Sequence, residues 1–252
     1  MMSLTETNLI EVTKRQYFYK LRGYMSMFLN MVGVQIVALL FSSGGVSGSS
    51  GMSSNNIQFS VNWFSADMVI SFTLMWAFVV AIYLTTNDYR NIDFGFVSNR
   101  LSSNISNIAF LLTAGVAGGI TASLAGYLIR VIVYLSTGSQ NIVSENFLIL
   151  PQELLAGTIA AALYIILVSS LGYFVGVLAQ LHKIFVVLLP ALIFGAMIAE
   201  TRIAGKPQTF VKLTEFFTNE GSFTLFALKV MITVVVLFWG GIIMSNRLEV
   251  RQ

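Results

Sequence analysis

Residues 101–129 read LSSNISNIAFLLTAGVAGGITASLAGYLI, a run without one Asp, Glu, Lys, Arg or His. At 1.5 Å of rise per helical residue it exceeds the ~30 Å hydrocarbon layer of a bilayer. A charge at the centre of a membrane helix costs at least about 2.5 kcal/mol, so an uncharged run of this length predicts a crossing. Five further stretches read the same way. Gly23 to about Phe41 is the first span, Met68 to about Thr86 the second, and Leu101–Ile129 the third; Leu154–Leu181 is the fourth, Ile184–Ala199 the fifth, and Phe223 to about Met244 the sixth. Trp63 and Tyr83 serve the second span as interfacial anchors. The fifth has 16 residues and covers only about 24 Å, so flanking residues extend it, the bilayer thins, or the next segment dips back. Lys229 lies in the first third of the sixth and snorkels outward.

The rest of the chain agrees with a membrane setting. Of its 252 residues 56% are apolar and 10% charged, and the mean hydropathy is +0.80; a soluble chain carries about 25% charge. Six crossings of roughly 20 residues use about half the chain and leave little room for a separate soluble catalytic domain. The expected fold is an all-α polytopic membrane protein, one transmembrane domain over 1–252 with an interface helix at 1–22, a six-span bundle at 23–246 and a tail at 247–252. With an internal N-terminus, Lys14, Arg15, Lys20, Arg22, Arg90, Arg100, Lys183, Arg247 and Arg251 fall inside, against Arg202, Lys206 and Lys212 outside. That bias predicts cytoplasmic N- and C-termini. The first apolar run is longer than a signal-peptide core and follows about 22 residues, so a retained anchor is expected; Ser42–Gly51 (SSGGVSGSSG) then reads as a flexible outer loop. No repeat of solenoid period occurs.

The sequence holds none of the common catalytic constellations. With no cysteine, disulfides, thiolate nucleophiles and cysteine-held metals are excluded. The single histidine, His182, cannot form HExxH, and beside Lys183 it reads as part of a basic inner turn. GxxxxGK[ST] is absent, and the one Gly-Lys pair, Gly205 and Lys206, is followed by proline. No span carries an acid near its midpoint, which removes support for metal-assisted transfer and for a proton relay. The net charge of +3 reflects topology and does not imply nucleic acid. The chain is therefore expected not to be an enzyme and to hold no cofactor.

Three segments outside the spans carry pattern. Ser3 and Glu6 form a capping box, and Ile10, Tyr17, Leu21 and Tyr24 recur at helical spacing, with Lys14, Arg15 and Lys20 assigned to the opposite side; this reads as an amphipathic helix in the inner membrane interface, or as a basic topology signal. Residues 87–104 (NDYRNIDFGFVSNRLSSN) mix charges with Tyr89, Phe94 and Phe96, which suits either a surface helix for a soluble partner or a solvated connector. Phe210, Leu213, Phe216 and Phe217 share a helical face after Pro207, an interfacial or re-entrant helix between spans five and six. Within the spans, Gly115 with Gly119, Gly118 with Ala122 and Gly126, and Gly172 with Gly176 make small-xxx-small stripes for close helix contact. Arg130 ends the third span as an interface anchor or as a contact for acidic groups.

This layout resembles the membrane subunit of ABC-2 type exporters of the bacterial plasma membrane: a basic N-terminal helix, six spans, an inner loop after the second and a short fifth span followed by an interfacial helix. The resemblance covers nearly the whole chain. It implies that residues 4–22, with Lys14, Arg15, Tyr17 and Lys20, form an interface helix, and that Asp88, Tyr89, Arg90, Asp93, Phe94 and Arg100 form a coupling loop resting on a separate ABC ATPase that holds ATP and Mg. It also implies a second permease, identical or related, in lipid, with a substrate path at the dimer interface. Cargoes in the family are amphipathic peptides, antimicrobial compounds or lipid-linked molecules. Where family members carry a glutamate and a Gly-Thr pair in the loop, this chain has Asn87, Asp88 and Asp93. The alternative from another class is a non-transporting immunity, sensor or scaffold protein of the membrane.

Overall fold

A computed structural model of the chain describes residues 9–43, 49–54, 57–62, 67–86, 89, 100–137, 151–182 and 184–246. The fold is helical, and among the described residues six helices are long and apolar enough to cross a membrane. The first helix, α1 (Leu9–Gly23), is followed by α2 (Met25–Ser43), α3 (Asp67–Thr85), α4 (Arg100–Thr137) and α5 (Pro151–Leu181). Then come α6 (Phe185–Ala204), α7 (Gln208–Thr218) and α8 (Phe223–Asn246). The six candidate spans are α2, α3, α4, α5, α6 and α8.

Two expectations are revised. The stretch expected to be a flexible loop contributes Ser42 and Ser43 to α2, and Ser49–Gly51 to a short strand. Strand β1 (Ser49–Ser54) pairs antiparallel with β2 (Ile57–Asn62), Ser49 opposite Asn62 and Ser54 opposite Ile57. The reason is legible in β2: Ile57, Phe59 and Val61 alternate with polar residues at the strand period, and its backbone ladder organises a Ser/Gly partner of low strand propensity. The fifth span is not short, because its helix continues through Glu200, Thr201 and Arg202 to 20 residues, about 30 Å. Flanking residues extend it. It stops at Gly205, whose φ of 71° places it in the left-handed region glycine enters without penalty; its N–H donates to the Thr201 carbonyl at 3.0 Å, and Pro207 follows. Pro190 sits inside α6, near its start.

The contacts define two compact units. One comprises Phe18–Val79 and Phe110–Ser169. Its core packs Ala38, Val69, Ala122, Ala125 and Ile129 under Leu39, Ile70 and Phe72. Phe110 receives the ring edges of Tyr24 and Phe28 at centroid distances of 5.9 and 5.6 Å. Lipid is as apolar as a leucine core, so such helices associate through dispersion and polar contacts and not through water exclusion.

The other unit comprises Met1–Tyr17, Val80–Ala109 and Ser170–Gln252. Tyr173 on α5 is fully buried and meets Phe238 on α8 edge-on at 5.7 Å. Within this unit α6 packs on α7 and α7 on α8. None of the span-length window of α6 is buried, in contrast to 28% or more for each other span.

Candidate functional site

Tyr89 is half-buried and helical, and Arg100, half-buried, opens α4; Asp88, Arg90, Asp93 and Phe94 lie outside the described residues. On α1, Lys14 and Arg15 are exposed, and Arg15 Nη2 donates to Glu11 Oε1 at 2.6 Å across one helical turn. Tyr17 is half-buried. Lys20 corrects the expectation that set it among outward cations. Gln16, Lys20 and Tyr24 follow at four-residue intervals on one stripe, and that stripe is the buried one, with Lys20 only 1% exposed. The outward surface instead alternates Ile10, Lys14, Phe18 and Arg22, with Tyr19 beside them. It is half apolar and half basic. The proposed cap at Ser3 and Glu6 lies outside the described residues.

The glycine stripes meet neighbours whose closeness depends on the missing side chain. A Cβ on Gly115 would lie 2.5 Å from the Ile166 side chain, and one on Gly119 would lie 2.7 Å from the Ala162 backbone, so α4 and α5 approach in near-backbone contact. Gly118 faces Thr73 and Met31. Gly176 on α5 abuts Thr85 and Ile82 on α3. Gly172 is buried and Gly126 half-buried.

Sequence reasoning missed two polar junctions. In the first unit, Gln35 on α2 donates through Nε2 to the hydroxyls of Thr73 on α3 at 3.2 Å and Thr121 on α4 at 2.9 Å. In the second, the Tyr173 hydroxyl donates to Asn104 Oδ1 at 3.0 Å while Asn104 Nδ2 donates to Ser245 Oγ at 3.1 Å, joining α4, α5 and α8. Each amide uses donors that hydrocarbon would leave unsatisfied. The signal was present in the sequence as polar side chains inside apolar runs, but partner identity was not. Ser102, Ser103, Ser106 and Asn107 extend the buried polar band at the start of α4.

Between α6 and α8 the chain is tied by charge. Glu200 near the end of α6 accepts from the Thr209 backbone N–H at 2.9 Å and from its hydroxyl, which anchors the first turn of α7 from outside the helix. Lys229 on α8 does not simply reach outward; its ammonium pairs with Glu220 and lies 4.2 Å from the centroid of the Phe216 ring. Phe216 in turn stacks edge-on against Phe217. No residue of α7 is buried.

Elsewhere, His182 is exposed and Arg130 half-buried, with Nη1 of Arg130 enclosed and unbonded. No group of three or more His, Cys, Asp or Glu is placed to hold a metal among the described residues. What the arrangement offers is polar and small-residue contact between helices. Comparison of the chain with protein-family models, curated proteins and solved structures finds no match in any of the three.

Proposed function

We propose that this chain is the permease subunit of an ATP-driven ABC-2 type exporter in a bacterial plasma membrane, with both termini cytoplasmic. The observation that carries the reading is α1: a helix one residue ahead of the first span whose outward surface alternates Ile10, Lys14, Phe18 and Arg22. Such a mixed surface suits the boundary between lipid headgroups and a docked soluble protein. On this reading the segment from Asp88 to Arg100 is the coupling loop, and α7 rests on the outer membrane interface with Phe210 and Leu213 toward lipid. The chain contributes no catalysis. ATP and Mg sit on a separate ATPase, whose closure displaces the coupling loop as a rigid body. Helices in near-backbone contact, as at Gly119 and Ala162, deform little and carry that displacement. A second permease completes the substrate path. The cargo class is an amphipathic peptide, an antimicrobial compound or a lipid-linked molecule.

Affinity capture of the tagged full chain in mild detergent tests the assignment. An ATPase bearing a Walker motif should co-purify, and its hydrolysis rate should rise when the permease is present. A chain recovered without any nucleotide-hydrolysing partner, yet fully active in vesicles, would overturn it in favour of a membrane immunity, sensor or scaffold protein.

A further inference from the structure

Helix α2 has two faces of opposite character. Met27, Met31, Gln35, Ala38 and Ser42 are buried. On the other side Ser26, Asn30, Gly33, Val37 and Leu40 are all exposed. Their spacing is four, three, four and three residues, the interval at which one helix presents a seam to a second across a left-handed crossing. In heptad terms Asn30 and Val37 take one core position and Ser26, Gly33 and Leu40 the other.

Asn30 says what must cover this seam. It lies five residues past the start of α2, about 7.5 Å along the helix axis, inside the span-length window Met25–Ser42. No hydrogen bond joins its side chain to another described residue. Acyl chains offer an amide neither donor nor acceptor, and a side chain this short does not reach the headgroups as lysine does. An amide is self-complementary. Around a two-fold axis each copy donates to the other's oxygen, so a second copy satisfies both groups with one residue type. A lone Asn at such a position fixes register and favours two strands, and a β-branched residue beside leucine favours the same parallel pair. Gly33 supplies the room. A Cβ there meets nothing within 4 Å, whereas Gly115 and Gly119 are filled by the chain's own helices.

We infer that α2 pairs with α2 of a second copy of this chain along Ser26, Asn30, Gly33, Val37 and Leu40, with Asn30 bonded to Asn30 of the partner subunit. The pairing rests on the exporter reading for its purpose, since it names the second permease as identical, but its geometry stands on α2 alone. The chain has no cysteine, so single introduced cysteines report on it without background. Val37→Cys, Val32→Cys and Met75→Cys variants of the full chain in native membranes are oxidised and run on denaturing gels. Val32 and Met75 are exposed like Val37 but lie off the seam. Disulfide dimers are expected at Val37→Cys, with yields at least fivefold lower at the other two. Adding Asn30→Leu should lower the Val37→Cys dimer yield roughly threefold to tenfold, the span expected for one interhelical hydrogen bond in a membrane. Adding Gly33→Ile should lower it as well. Absent dimers at Val37→Cys, equal yields at Val32→Cys or Met75→Cys, or dimers only with a different permease would each overturn the inference. Loss of the ATPase in affinity capture with the cysteine pattern intact would instead overturn the exporter reading and leave this seam standing.

Discussion

Gly119 and Asn104 do different work at the scale of single residues. Gly119 lets two backbones meet where even a methyl group would come within 2.7 Å of Ala162, so Gly119→Leu has no route except to push α4 from α5. Overpacking of this kind costs about 1–3 kcal/mol or more. Thermal aggregation of the detergent-solubilised protein should begin at lower temperature in Gly119→Leu, while Gly195→Leu, where a Cβ meets nothing within 4 Å, should match the parent. Asn104 holds two other helices at once, and Asn104→Leu leaves the Tyr173 hydroxyl buried without its acceptor. Interhelical bonds in membranes average about 0.6 kcal/mol, and removing the acceptor of a buried hydroxyl costs up to about 1–3 kcal/mol. In the same assay Asn104→Leu should aggregate at a lower temperature than the parent, and the double variant Asn104→Leu, Tyr173→Phe should recover part of the loss. The glycine stripes were legible as spacing. The Asn104 junction was not, because Ser245 lies 141 positions away and nothing local pairs them.

Among the elements, the helices between spans five and six show how charge shapes a connection. Glu200 holds the start of α7, and Lys229 holds the segment that follows it through Glu220. Glu200→Ala should therefore loosen α7 and speed tryptic cleavage at Lys212 severalfold in proteoliposomes, without altering the membrane content of the protein. Unchanged cleavage would mean that packing on α6 and α8 alone holds α7. An apolar face on α7 was readable from Phe210, Leu213 and Phe216; the tether was not, since a carboxylate eight residues upstream of a helix start has no fixed meaning in sequence. For α1 the helix was legible, but the side on which Lys20 falls was misjudged. Four-residue spacing already put Lys20 with Tyr24, and only the surroundings tell which stripe is buried. The hairpin was hidden for a related reason, as strand β1 takes its form from a partner rather than from its own serines and glycines.

Taking the molecule as a whole, six helices of spanning length among the described residues match the six apolar runs, because the cost of burying charge acts on each run alone and needs no knowledge of neighbours. Which helices touch depends on shape, and shape was not written in hydropathy. The functional reading belongs to this scale too. If an ATPase docks beneath the chain, Arg100→Glu should cut both transport and permease-stimulated ATP hydrolysis by an order of magnitude while membrane insertion stays normal. Equal rates in parent and variant would count against a coupling role for residues 88–100.

Since none of the span-length window of α6 is buried against the protein, its orientation in a membrane would depend on the surrounding bilayer as much as on the polypeptide. Extraction into micelles should free this rod before any other, and lipid discs, which keep a flat boundary on both sides, are the preparation in which its native tilt survives.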